Sequence, residues 1–75
     1  MLAPPTVAQF MRRELATIDA TRPLHDGARE MTTRGVSSLL VLAKGGEIAG
    51  IITERDIVRS VAIEGAEVLR TRSVG

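Results

Sequence analysis

The sequence predicts a small α+β domain whose elements run helix, short strand, helix, strand, strand, helix. Three observations carry that order. Apolar residues recur at helical spacing in three separate stretches, and two short β-rich runs flank Lys44-Gly45-Gly46-Glu47. The length of 75 residues leaves room for one domain. A chain this short buries roughly 60 % of the surface its unfolded form exposes, so alone it is marginally stable.

Thr6 can cap the first helix, because Val7, Phe10 and Met11 follow on one side while Gln9, Arg12 and Arg13 take the other. Leu15 to Ile18 reads as a short extended stretch. Thr21-Arg22-Pro23 resembles a second helix start, since proline is tolerated in the first turn. Leu24, Ala28 and Met31 continue that helix until Gly35 supplies the stop.

Ser38 to Ala43 and Ile48 to Ile52 read as two strands, and the glycine pair between them predicts a two-residue hairpin turn. Together with the first stretch they make a small three-stranded sheet. Both runs are too continuously apolar for a sheet wetted on one face, so helices should cover one side and a partner or further protein the other. The last helix runs from Thr53 to about Glu64, with Ile57, Val58, Val61 and Ala62 as its apolar stripe and Gly65 as its end. Residues 66–75 have no period of their own. Ser73-Val74-Gly75 nevertheless echoes Thr6-Val7-Ala8, and two readings stay open, a frayed terminus and the start of a second, truncated repeat.

Composition excludes several function classes. Ten Lys and Arg against nine Asp and Glu give a formal charge of +1, and Phe10 is the sole aromatic residue. Neither a phosphate-tracking groove nor a base-stacking platform can be built, which argues against nucleic acid as partner. Without cysteine there is no disulfide staple and no thiolate chemistry, so a cytoplasmic setting is the expectation. The longest apolar run, Leu39 to Ala43, is far below the roughly 20 residues of a membrane span, and no membrane partner is expected. A single histidine, His25, with scattered acids supports neither a metal site nor a catalytic triad, and it reads as a surface residue. Lys44-Gly45-Gly46 joins two strands in the wrong order for a phosphate-binding loop.

One segment holds more chemistry. Gly50-Ile51-Ile52-Thr53-Glu54-Arg55-Asp56-Ile57 places a strand end, a hydroxyl, a guanidinium and a carboxylate at one helix start. Its plainest reading is a capping box, with Thr53 accepting from the Asp56 N–H and the carboxylate reaching back to the Thr53 N–H. The same atoms also suit a ligand. The helix end and Arg55 attract a phosphate, and an acceptor-only carboxylate at Asp56 suits the vicinal hydroxyls of a ribose. Gly50 within a strand marks either close approach by a ligand or a bulge.

This octapeptide matches the G-h-h-T/S-x-x-D-h signature (h, hydrophobic) and resembles the cystathionine-β-synthase-type domain, the CBS domain. Val7 to Met11 is similar to that family's leading helix and Ala16 to Asp19 to its first strand. Leu24 to Met31 looks like its first main helix, and Gly35 to Leu42 like its central strand. Residues 1–65 thus resemble a single CBS motif, with 66–75 as a tail. The resemblance implies a CBS-like β-α-β-β-α core with an N-terminal helix in front, and a regulatory module, not an enzyme. It implies an adenosine-containing ligand (AMP, ADP, ATP or S-adenosylmethionine) in a cleft formed with a paired motif, and no other cofactor. Thr53 would contact ribose or phosphate and Asp56 the ribose hydroxyls. Ile18 and Val36, Ser37 and Ser38 would bracket the adenine; Arg55 stands at a variable position of the pattern, and its phosphate contact comes from the reading of the residues alone. Ala20 departs from the pattern, standing where many members carry proline, which puts the adenine-side wall in doubt. The resemblance also implies pairing, by a homodimer or with a second motif. The competing function is an assembly module without ligand, in which Thr53 and Asp56 only cap a helix.

Overall fold

The computed structural model describes residues 16–75. The leading helix expected after Thr6 and the Leu15 end of the first extended stretch lie outside the described residues. The remaining elements take the expected β-α-β-β-α order: β1 (Thr17–Asp19), α1 (Leu24–Arg34), β2 (Ser38–Leu42), β3 (Ile48–Thr53) and α2 (Glu54–Glu64), then a short α3 (Val68–Thr71). The sheet runs β1-β2-β3, with β1 parallel and β3 antiparallel to the central strand.

Pairing with β2 decides where β1 stands. Thr17, Ile18 and Asp19 face Leu40, Val41 and Leu42, so the strand sits one residue beyond the expected Leu15–Ile18 stretch. Asp19 then turns the chain, its carboxylate accepting from both the N–H and the hydroxyl of Thr21 at 2.9 and 2.7 Å. That occupies Thr21, and the helix starts later than the sequence suggested. Pro23 is the N-cap residue in an extended conformation, with no side-chain cap. At the other end Gly35 adopts φ 67°, the left-handed conformation that glycine takes at low cost, and stops the helix as expected.

The hairpin closes through three residues rather than two. Ala43 donates to the carbonyl of Glu47 at 2.8 Å and Gly46 to that of Ala43 at 2.9 Å. Lys44, Gly45 and Gly46 therefore form the loop, and both glycines have positive φ. Ala43 belongs to the turn and not to β2. One step later Val41 faces Gly50 while Leu42 faces Ile48, which leaves Ala49 as a bulge. A Cβ on Gly50 would meet nothing within 4 Å, so the bulge and not crowding accounts for the irregularity there.

Alternation along the strands sorts the apolar residues into two faces. Ile18, Leu39, Val41 and Ile52 turn inward and form one core with Leu24 and Met31 of α1, Ile57 of α2 and Val68 of α3. Leu39, at 1 % exposure, is the most deeply buried side chain. On the opposite face Leu40 is buried, but its strand partner Ile51 and the neighbouring Ile48 are 63 % and 57 % exposed. The helix-covered side thus meets the expectation, while the outer side carries uncovered isoleucines.

Residues 66–75 are not frayed. Val68 is buried in the core, and Pro23 and Ser73 form an antiparallel bridge. Arg70 pairs with Glu67, and Arg72 pairs with Glu64 at 2.6 Å. Long-range pairing, invisible to local periodicity, holds this segment in place.

Candidate functional site

β3 delivers Thr53 to the start of α2, and the capping box forms in full. The Asp56 N–H donates to the Thr53 hydroxyl at 3.2 Å. In return the N–H and the hydroxyl of Thr53 both donate to Oδ2 of Asp56, each at 2.9 Å. These bonds lower the Asp56 pKa, the Thr53 backbone contributing most, then its hydroxyl, with Arg59 adding a smaller electrostatic pull. Among the described residues, Oδ1 accepts no hydrogen bond. A carboxylate oxygen has two lone pairs, so capping saturates one oxygen and leaves the other for two donors.

The register brings a second segment to this corner. Ser38 pairs with Thr53 across the hairpin, and the Glu54 N–H donates to the carbonyl of Ser37 at 3.0 Å. Ser37 is exposed, Ser38 half-buried, and Val36 half-buried against the core. Val36, Ser37, Ser38, Thr53 and Asp56 therefore sit at one end of the sheet. Arg55 lies beside them in the first turn of α2, exposed and in no ion pair among the described residues. Glu54 shares that turn, so the positive charge of Arg55 is largely offset there.

Ile18 lies apart from the others. Its strand partner Val41 is three residues beyond Ser38, about 10 Å along the strand. Its side chain belongs to the core. A cleft of about 350 Å³ borders Ile18 between β1 and α1, rimmed by Asp19, Arg22, Asp26 and Arg29 among others. Sequence reasoning missed the Asp19–Thr21 turn, although an Asp two residues before a Thr is a known turn signal. His25 is exposed on α1, and no group of three or more potential metal ligands occurs among the described residues. No described helix is long and apolar enough to cross a membrane.

Both carboxylates that hold turns make a shared prediction. Asp19 is lowered by the Thr21 hydroxyl first and the Thr21 N–H next, and Asp56 by the N–H and then the hydroxyl of Thr53. A carboxyl whose folded pKa is depressed contributes stability that is full above its unfolded value near 3.9 and lost as pH falls through the folded value. Carboxyl NMR titration should show Asp19 and Asp56 among the last acids to protonate. In Thr53→Val, which removes the hydroxyl and keeps the N–H, Asp56 should move part of the way back toward the ordinary aspartate range while Asp19 stays. An unmoved Asp56 would contradict the capping geometry.

The CBS domain family pattern matches residues 7–63, and the chain belongs to the CBS domain family. The fold agrees. A CBS-domain containing protein from Agrobacterium tumefaciens is similar at TM-score 0.76 and 28% identity, covering 91% of this chain and 52% of that one. A candidate signal-transduction protein with CBS domains from Burkholderia ambifaria is similar at TM-score 0.66 and 29% identity, covering 93% and 57%. The chain thus spans about half the length of these solved relatives. No curated protein sequence matches it. CBS domains are typically regulatory, non-catalytic modules, and they normally pair with a second CBS motif. At the position where many members have proline, the Ala20 N–H donates to the carbonyl of Leu42 at 2.8 Å, a ladder bond that proline could not make.

Proposed function

We propose that this chain is a ligand-sensing regulatory module that takes an adenosine-containing compound at the corner between Val36–Ser38 and the start of α2. The observation that carries the reading is the division of labour on Asp56. Oδ2 holds the helix cap, and Oδ1 remains to accept two vicinal hydroxyls of a ribose. Thr53, Ser37 and Ser38 supply further polar groups at the same corner, and Arg55 is placed to meet a phosphate. The backbone at Ile18 is the remaining contact, reached by a ligand lying across the end of the sheet. A paired motif, from a second copy or a further segment, completes the cleft and covers Ile48 and Ile51.

A panel of AMP, ADP, ATP and S-adenosylmethionine tests the reading by thermal melting. A ligand at 100 times its dissociation constant adds about 2.7 kcal/mol. For a domain of this size that raises the Tm by roughly 10 °C or more. At least one member of the panel should give such a shift.

Four exposed apolar residues, Ile48, Ile51, Val58 and Ile63, favour a second reading, an assembly module without ligand. That reading predicts a flat response to the whole panel together with self-association in sedimentation equilibrium at high micromolar concentration. A folded monomer there would count against pairing between copies.

A further inference from the structure

α1 begins without a side-chain cap, yet its first amide is not left without a partner. The Leu24 N–H donates to the carbonyl of Arg72 at 2.8 Å. Two residues on, the Val74 N–H donates to the carbonyl of Arg22 at 2.8 Å, and the Gly75 N–H to that of Ala20 at 3.1 Å. Residues 72–75 therefore run antiparallel along the β1–α1 loop and take the place of a helix cap. The side chain of Val74 seats on Gly27. A Cβ added to Gly27 would lie 3.1 Å from Cγ1 of Val74, with Ile57 and Ile18 at ordinary contact distance beyond. Gly27 is buried within a helix, where alanine would otherwise be preferred, so the seat gives this glycine its packing reason.

We propose that residues 72–75 form a releasable strap, and that the strap and the Ala20–Leu24 loop open and close as one unit. The strap is held by four backbone hydrogen bonds, three to the loop and one from the Arg72 N–H to the carbonyl of Val68, by Val74 and Gly75 packed on Gly27 and Ala20, and by the exposed Arg72–Glu64 pair. Small contact area and solvent-accessible hydrogen bonds are the features of segments that open below the global unfolding free energy. Opening would deprive the Leu24 N–H of its acceptor and the carbonyls of Ala20 and Arg22 of their N–H donors. The loop follows β1 directly, so its order bears on the backbone at Ile18. The strap itself requires no ligand.

Native-state amide exchange on the full chain tests this. In the unaltered protein Leu24, Val74 and Gly75 should exchange through a common opening, faster than the Leu40 amide, which is bonded to Ala16 inside the sheet. Gly27→Ala crowds the seat without opposing the helix, and Val74→Gly empties it. Each should speed all three amides by roughly tenfold or more while Leu40 keeps its rate. The proposal fails if Leu24 stays slow when Val74 and Gly75 accelerate, because strap and loop would then be independent. It fails equally if Leu24, Val74, Gly75 and Leu40 share one rate in the unaltered protein, because the strap would then open only by global unfolding. Val74→Gly changes no helix or strand, so it carries the test should Gly27→Ala not fold.

Discussion

Leu39→Ala is expected to lower the urea midpoint of the chain by about a third or more at room temperature, because a buried leucine cut to alanine costs about 2–5 kcal/mol. Leu39 is 1 % exposed at the centre of β2, with the core residues of α1 and α2 over its face of the sheet. A domain of 75 residues has a total stability of roughly 4–11 kcal/mol on the usual per-residue scale. Short chains fall at the low end, so one cavity removes much of what there is. Ile51→Ala is the matched control, since it shortens an apolar side chain on the same sheet that is 63 % exposed. Its effect should stay within about 0.5 kcal/mol in dilute solution. A larger drop for Ile51→Ala than for Leu39→Ala, followed by circular dichroism at low micromolar concentration, would show that the inward and outward faces have been assigned the wrong way round, and equal midpoints would contradict the burial difference.

Asp56→Ala is expected to abolish the ligand-induced rise in Tm altogether. The variant also loses the reciprocal half of the capping box, so the ligand-free protein melts earlier. The decisive quantity is therefore the difference between liganded and free protein, measured for each variant separately. Asp56→Asn separates the two tasks of the carboxylate. Its carbonyl oxygen can replace Oδ2 toward Thr53, while its NH₂ group stands where Oδ1 would accept hydroxyls under the proposed function. The free Asn variant should melt closer to the unaltered protein than the Ala variant does, with the ligand shift strongly reduced. A full ligand shift in both variants would remove Asp56 from the site and return Thr53 and Asp56 to helix capping alone.

Elements whose cause is local were legible in the sequence. The stop at Gly35, the hairpin around Gly45-Gly46 and the box between Thr53 and Asp56 each depend on residues no more than four apart, and each stands where expected. The cluster of residues at the start of α2 was legible to the same degree. Thr53 and Asp56 meet because they stand three positions apart at a helix start, and Val36–Ser38 join them because the hairpin puts Ser38 opposite Thr53. Errors collected where a distant segment decides. β1 moved by one residue because Leu40 to Leu42 set its register. The bulge at Ala49 and the third loop residue come from two strands being matched across a turn, and neither residue announces this by type.

The sequence by itself determined the helices and strands of residues 17–64, their order, and the chemistry gathered at the start of α2, while the short α3 gave no local signal; propensity, capping and turn geometry act over a few neighbouring residues. Only the tertiary structure decided which face of the hairpin leaves Ile48 and Ile51 in solvent, and that Val74 closes over Gly27. Those outcomes depend on which distant atoms share a small volume, and chain-local patterns do not encode that.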